Sequence, residues 1–89
     1  MVTRPELEAV DYARELIRID TSNFGDGSGP GERPAAELVA GWLAEVGYEP
    51  TIIEAEPGRA TVLLRIAGTD PEASALVVHG HTDVVPADA

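Results

Sequence analysis

The chain has 89 residues, of which 44% are hydrophobic and 25% are charged, and this balance is typical of a globular protein rather than a disordered one. Sixteen acidic residues against six basic ones give a net charge of −10, which argues against binding to nucleic acid or to an anionic membrane. The absence of cysteine excludes disulfides and thiolate zinc sites, so a metal would need His, Asp or Glu ligands.

A chain of this length forms one small domain or part of a larger one, and it buries only roughly 60–65% of the surface that it exposes when unfolded. Its first five residues lack the apolar core of a signal peptide. No apolar run reaches the roughly 18–20 residues that a membrane span requires. We therefore expect a cytoplasmic protein with no membrane partner.

The first predicted helix covers residues 5–19. Thr3 as N-cap, Pro5 in the first turn and Glu6 three residues after Thr3 make a capping-box pattern. Apolar residues then recur at helical spacing and predict one stripe that faces the core: Leu7, Val10, Ala13, Leu16 and Ile17.

Residues 20–31 predict a loop with glycine at every second position of its latter half: Gly25, Gly27, Gly29 and Gly31. The loop follows a helix rather than a strand, contains Asp26 and has no lysine. These features disfavour a phosphate-binding loop and favour a flexible connector. The length of the loop leaves a role as a lid or as the edge of a site open.

A second helix is predicted to begin between residues 32 and 34 and to end at Gly47, a typical C-terminal stop. Trp42 is expected to be a packing anchor rather than a ligand-binding aromatic residue. It belongs to an apolar face made of Ala35, Leu38, Trp42, Leu43 and Val46.

Three strands follow in the prediction. Residues 48–56 and 61–67, joined by the short link 57–59, predict an antiparallel hairpin, and residues 68–71 predict a turn. Residues 75–80 are apolar almost throughout and predict a third strand, of the kind that is buried in the middle of a sheet with helices on both faces. The order of elements predicts an α/β fold with a mixed sheet.

His81 and Asp83 come just after the third predicted strand, where ligands gather in open α/β sheets. A metal takes one ring nitrogen of a histidine, and a carboxylate that accepts the proton on the other nitrogen fixes the tautomer. A His-x-Asp triplet alone is common. Its place after an apolar strand and beside Gly80 favours metal ligation by His81, with a structural histidine as the alternative.

Three kinds of metal site are compatible with this pattern. In one, His79 and His81 both bind, as in the His-x-His-x-Asp pattern of metallo-β-lactamase-like hydrolases, although Val84 stands where a further histidine normally follows. In the second, His-x-His ends the first strand of an amidohydrolase barrel, although such barrels begin with that strand rather than with two helices. In the third, His81 alone binds the metal and Asp83 orients it.

Residues 78–86, Val-His-Gly-His-Thr-Asp-Val-Val-Pro, resemble the first metal-ligand motif of the dizinc hydrolase family that contains aminoacylase, acetylornithine deacetylase, succinyl-diaminopimelate desuccinylase and glutamate carboxypeptidase. That motif reads apolar strand, then Gly/Ser-His-x-Asp-x-Val-Pro. Residues 16–23 are similar to the end of the family's first helix, and Gly31-Glu32 with the helix that ends at Gly47 is similar to its second. The resemblance covers nearly the whole chain and favours the third kind of site.

The resemblance implies that residues 1–89 are the N-terminal portion of the catalytic, metal-binding domain of a zinc-exopeptidase-like α/β/α sandwich. His81 matches the first zinc ligand, and Asp83 matches the active-site acid that orients it. His79 matches no ligand, so it is assigned to packing or to the surroundings of the site. The remaining ligands, the glutamate base and the lid or dimerisation domain would lie beyond Ala89.

The implied activity is hydrolysis of an amide or peptide bond in N-acyl amino acids or small peptides, with two Zn²⁺ ions that activate a water. Cobalt or manganese in place of zinc, and a homodimeric parent protein, remain open. The chain alone is expected to be inactive, because it supplies one ligand where catalytic zinc usually needs three. A noncatalytic small α/β module is the competing hypothesis.

The family's sheet has a later strand between the hairpin and the strand that carries the ligand. Without that strand, unpaired edges would remain in the sheet. We therefore expect the 89 residues alone to fold poorly or to associate.

Overall fold

The computed structural model describes residues 4–87. Its elements in chain order are α1 (Pro5–Ile17), α2 (Arg33–Glu45), β1 (Thr51–Glu56) and β2 (Arg59–Leu63). The predicted α/β class, both helices and the hairpin are thereby confirmed, with ends that differ by a few residues. In the part of the chain that is described, neither helix is long and apolar enough to cross a membrane.

Helix α1 begins at Pro5, which is tolerated there because the first turn needs no backbone N–H donor. Arg4 occupies the N-cap position and makes no side-chain cap hydrogen bond, and the predicted cap Thr3 lies outside the described residues. The helix meets α2 through the rings of Tyr12 and Trp42, whose centroids are 4.4 Å apart. Trp42 therefore acts as a packing residue, as predicted.

The predicted core stripe of α1 is wrong. Leu7, Val10 and Ile17 are 53%, 47% and 80% exposed. At 3.6 residues per turn, Tyr12 lies about 200° around the helix from Val10. The helix thus turns Tyr12 and Leu16, a half-buried member of the predicted stripe, toward the rest of the described chain, whereas Leu7, Val10 and Ile17 are exposed.

Helix α2 is bounded by backbone hydrogen bonds at both ends. Its first amides, those of Glu32 and Arg33, donate to the carbonyl oxygen of Gly58 in the hairpin turn, at 2.8 and 3.2 Å. At the other end, Gly47 has φ +94° and donates to Ala44, and the next amide donates to the carbonyl of residue 43. This pair of bonds is a Schellman motif, so the predicted stop at Gly47 is confirmed.

The hairpin is antiparallel, and Pro57 and Gly58 form its turn. Ile52 lies opposite Val62 in the register, and both are half-buried. Helix α2 packs on both strands of the hairpin. Its two small residues Ala35 and Ala36, 1% and 4% exposed, are the buried hydrophobic core of the described chain.

The predicted third strand over residues 75–80 does not form. Leu76, Val77 and Val78 are 88%, 79% and 86% exposed, and the sheet of the described residues consists of β1 and β2 alone. A strand needs a neighbour that pairs with its N–H and C=O groups, and no such neighbour lies beside residues 75–80 within residues 4–87. The chain instead pairs farther on, through a parallel bridge between Ser22 and Val84.

Candidate functional site

The segment that carries the candidate ligand is fixed by the loop after α1. The Thr21 hydroxyl donates a hydrogen bond to the carbonyl of Thr82 at 2.6 Å. The amide of Val84 donates to the carbonyl of Thr21 at 3.1 Å, and the amide of Asn23 donates to the carbonyl of Val84 at 2.7 Å. These bonds hold residues 82–84 in place although residues 75–80 before them form no strand.

The structure brings His81 and Asp83 together. The imidazole Nδ1 lies 2.9 Å from the carbonyl oxygen of Asp83 and 3.0 Å from its carboxylate Oδ1. Both partners are acceptors, so Nδ1 carries the ring proton and donates it. The side chain of His81 is 84% exposed. This arrangement leaves the lone pair of Nε2 available for a metal.

Both oxygens of the Asp83 carboxylate are engaged. Oδ1 accepts from His81, and Oδ2 accepts from the side-chain amide of Asn23 at 2.9 Å. The hydrogen bond from Asn23 is the main cause that lowers the pKa of Asp83, against the opposing effect of desolvation; His81 and the charge of Arg59 lower it further. Asp83 is thus an ionised group that is oriented for the imidazole rather than for a water.

Arg59, in the hairpin, connects this carboxylate to the start of α2. Its Nε donates to Oε2 of Glu32 at 2.8 Å, and its Nη2 lies 3.7 Å from Oδ2 of Asp83. Glu32 is 7% exposed, so its carboxylate needs a partner within the protein. The hydrogen bond to Glu32 in turn raises the pKa of Arg59. The guanidinium therefore balances two carboxylates from different elements.

His81 and Asp83 lie on the border between two open clefts. One cleft is lined by α2 and β2 residues together with residues 80–83, and the other by residues 23–25 and 84–86. His79 lines neither of them, and it is exposed. Both clefts include His81 in their lining, so its side chain is accessible from either side.

Within residues 4–87, no three His, Asp or Glu groups come together to hold an ion, so His79, His81 and Asp83 do not form such a cluster in the described structure. Asp83 faces the imidazole, and His79 lies apart on the exposed segment. The donor set fits zinc only as a single imidazole ligand, whereas a catalytic zinc usually has three protein ligands.

Sequence reasoning missed the residues around Asp83 and recognised only part of the segments that hold them. Thr21 and Asn23 lie within residues 16–23, and Glu32 follows Gly31. Both stretches resemble the family, but the resemblance assigns no role to these three side chains. Arg59 was assigned only to the link between two strands. Nothing in the local sequence marks its contact with Glu32, which lies 27 residues away.

Comparison with known proteins gives one relative among curated sequences. The chain is 30% identical over 80 residues to acetylornithine deacetylase from Vibrio atlanticus (strain LGP32), an alignment that covers 89% of this chain and 20% of that enzyme. The chain thus spans about a fifth of the length of this relative. No family model matches the sequence, and no solved structure matches it at a significant level. The comparison shows a distant similarity to a deacetylase.

Proposed function

We propose that this chain is the N-terminal portion of the catalytic domain of a cytoplasmic, zinc-dependent amide hydrolase related to acetylornithine deacetylase. In this proposal His81 is one zinc ligand through Nε2, and Asp83 orients it. The substrate is an N-acyl amino acid or a small peptide. The resemblance of residues 78–86 and the similarity to the Vibrio atlanticus enzyme support the proposal.

The observation that carries the proposal is the pairing of His81 with Asp83. A carboxylate that accepts a hydrogen bond from Nδ1–H makes the imidazole more basic and directs Nε2 away from the protein. Structural histidines on a surface have no need of such a partner, since water satisfies both ring nitrogens. An exposed imidazole held by an ionised carboxylate at the edge of two clefts is therefore better explained as a ligand.

In such a hydrolase, bound zinc would activate a water and polarise the amide carbonyl. The part of this chain in the reaction is to hold its ligand: Thr21 and Asn23 fix the backbone around residues 82–84, and Asp83 keeps the proton on Nδ1. The Asp83 carboxylate is held by His81 and Asn23 rather than turned toward a water, so in this proposal the general base is another residue.

The first test is the coding sequence that follows the codon for Ala89. The proposal requires an aspartate some tens of residues downstream and, farther on, a pair of adjacent glutamates. An open reading frame that ends at Ala89 in the native gene, together with zinc-free protein, would support the noncatalytic module instead.

The second test uses the protein encoded by the complete gene. We expect it to contain zinc and to release acetate from Nα-acetylornithine or from another member of a panel of N-acetyl amino acids. His81→Ala should lose both zinc and activity, whereas the matched control His79→Ala should keep both, because His79 is exposed and lines neither cleft. A His81→Ala enzyme with normal zinc content and normal turnover would overturn the proposal.

A further inference from the structure

We propose that Asn23 is a positioning residue: its side-chain amide holds the Asp83 carboxylate in the orientation that keeps the proton of His81 on Nδ1. The inference depends on the proposed function only for the use made of Nε2, which is metal binding. The arrangement of Asn23, Asp83 and His81 itself is a property of the described chain.

The orientation of the Asn23 amide is determined by its two partners. Its Oδ1 lies 2.9 Å from the amide nitrogen of Gly25, and its Nδ2 lies 2.9 Å from Oδ2 of Asp83. A backbone N–H can only donate and an ionised carboxylate can only accept, so the amide oxygen must face Gly25 and the NH₂ must face Asp83. A reversed amide would place two donors together on one side and two acceptors on the other.

The backbone of Asn23 is fixed as well. Its amide donates to the carbonyl of Val84 at 2.7 Å, next to the residue that its side chain contacts. Asn23 thus binds residues 83 and 84 through both its main chain and its side chain. This double attachment places the Asn23 side-chain NH₂ group against Oδ2 of Asp83, while Oδ1 of Asp83 faces His81.

Arg59 does not supply the same constraint. Its Nη2 is 3.7 Å from Oδ2 of Asp83, which is beyond the usual range for a hydrogen bond, and its short contact is with Glu32. The guanidinium contributes positive charge without a directed bond. Of the two groups near Oδ2, Asn23 is the one placed to resist rotation of the carboxylate about its terminal torsion, which is otherwise soft.

The orientation of the carboxylate decides which nitrogen of the imidazole is free. In water a neutral histidine favours the tautomer with its proton on Nε2, and that tautomer has no lone pair there for a metal. An acceptor held at Nδ1 reverses the preference. Asn23 therefore acts on the metal-binding atom through Asp83, without touching the imidazole.

The test is the tautomer of His81 in the metal-free protein encoded by the complete gene, labelled with ¹⁵N-histidine and kept at an alkaline pH. Long-range ¹H–¹⁵N correlation spectra distinguish the two tautomers, and His79 is a reference in the same spectrum. We expect the Nδ1–H form of His81 to dominate. A wild-type chain in which His81 is mainly the Nε2–H form would overturn the proposal.

The decisive variant is Asn23→Asp, which keeps an acceptor for the Gly25 amide but sets an acceptor against Asp83. We expect its ratio of Nδ1–H to Nε2–H forms to fall by about fivefold, the usual net effect of one hydrogen bond. The control Asp26→Asn alters another turn of the same loop, where Asp26 contacts Ser28 rather than Asp83, and should leave the ratio unchanged. Equal ratios in all three chains would overturn the proposal.

Cross-strand signals of the hairpin, such as those between Ile53 and Thr61, report whether each variant retains its fold. If Asn23→Asp loses them, Asn23→Ser, which keeps a short acceptor for Gly25, replaces it with the same expected direction. Zinc does not enter these measurements. If Asn23→Asp lowers the Nδ1–H to Nε2–H ratio but the complete enzyme contains no zinc, the proposed function is rejected and this inference stands. If the complete enzyme contains zinc but Asn23→Asp leaves the ratio unchanged, this inference alone is rejected.

Discussion

The hydroxyl of Thr21 donates a hydrogen bond to the carbonyl oxygen of Thr82 at 2.6 Å, across 61 positions of the sequence. Thr21 is 6% exposed, so water competes little for this bond. Thr82 stands between His81 and Asp83. The backbone at the candidate site is therefore held from one side by the loop after α1.

Replacement of Thr21 by valine removes this donor and keeps the shape of the side chain. We expect Thr21→Val to lower the free energy of unfolding by about 1 kcal/mol, the usual net contribution of one hydrogen bond. Urea denaturation measures the loss. The control Thr61→Val, at an exposed position of β2, should change stability by less than about 0.5 kcal/mol. Equal losses in the two variants would contradict the importance of the Thr21 bond.

Gly31 has a second structural requirement besides its φ of +78°. A Cβ at this position would collide with the carbonyl oxygen of Gly58, which accepts the first amides of α2. We expect Gly31→Ala to cost about 1–2 kcal/mol through the left-handed backbone and about 1 kcal/mol more through the loss of this cap.

Gly27→Ala is the matched control for Gly31→Ala. Gly27 also has a positive φ, +87°, but a Cβ there would meet nothing within 4 Å. It should therefore show the backbone strain without the loss of the helix cap. Thermal unfolding of both variants gives the comparison, and an equal cost would mean that Gly58 does not cap α2 as described.

Local features of this fold were predictable from the sequence. The stop of α2 at Gly47 and the hairpin turn at Pro57 and Gly58 depend on residues a few positions apart, and the structure has both. The contact of His81 with Asp83 spans two residues and is likewise local. Short-range chemistry is readable because the interacting groups are neighbours in any conformation of the chain.

Features that depend on distant partners were not predictable. The spacing of apolar residues shows that α1 has an apolar face, but it does not show which part of the protein covers that face. In the described structure, Val10 and Ile17 on this face are exposed. The predicted strand over residues 75–80 has the composition of a strand, but within residues 4–87 no neighbour pairs with it. The contact between Asn23 and Asp83 joins residues 60 positions apart, so no local pattern reveals it.

The ion pair between Arg59 and Glu32 should matter more than an exposed pair. The side chain of Glu32 is 9% exposed and that of Arg59 is 45% exposed, so Arg59→Met leaves a nearly buried carboxylate without its donor. We expect the free energy of unfolding to fall, but by less than for a fully buried pair, because Arg59 is partly solvated. Urea denaturation measures it.

Glu32→Gln in the Arg59→Met background should recover part of that loss, because it removes the unpaired charge. The control Arg33→Met breaks the exposed pair of Arg33 with Glu37, whose side chains are 41% and 57% exposed, and should lower stability much less than Arg59→Met does. If the loss of stability in the double variant equalled the sum of the losses in Arg59→Met and Glu32→Gln alone, the two side chains would not be coupled.

The exposed apolar residues 76–78 predict self-association of the isolated chain. Leu76 and Val78 are 88% and 86% exposed, and unpaired backbone groups beside apolar side chains invite pairing with another chain. Wild-type protein should therefore sediment as a mixture of monomer and larger species. Leu76→Lys combined with Val78→Lys should be mainly monomeric at the same concentration.

The control for this double variant is Ala73→Lys combined with Ala75→Lys, which adds the same charges at exposed positions and removes little apolar surface. The chain carries a net charge of −10, so two added lysines weaken the repulsion between copies and by themselves favour association. If the Leu76→Lys/Val78→Lys variant is monomeric and the Ala73→Lys/Ala75→Lys variant is not, the difference must come from the lost apolar surface. A monomeric wild-type chain whose amides at residues 75–80 are well protected from hydrogen exchange would contradict both the association and the absence of the strand.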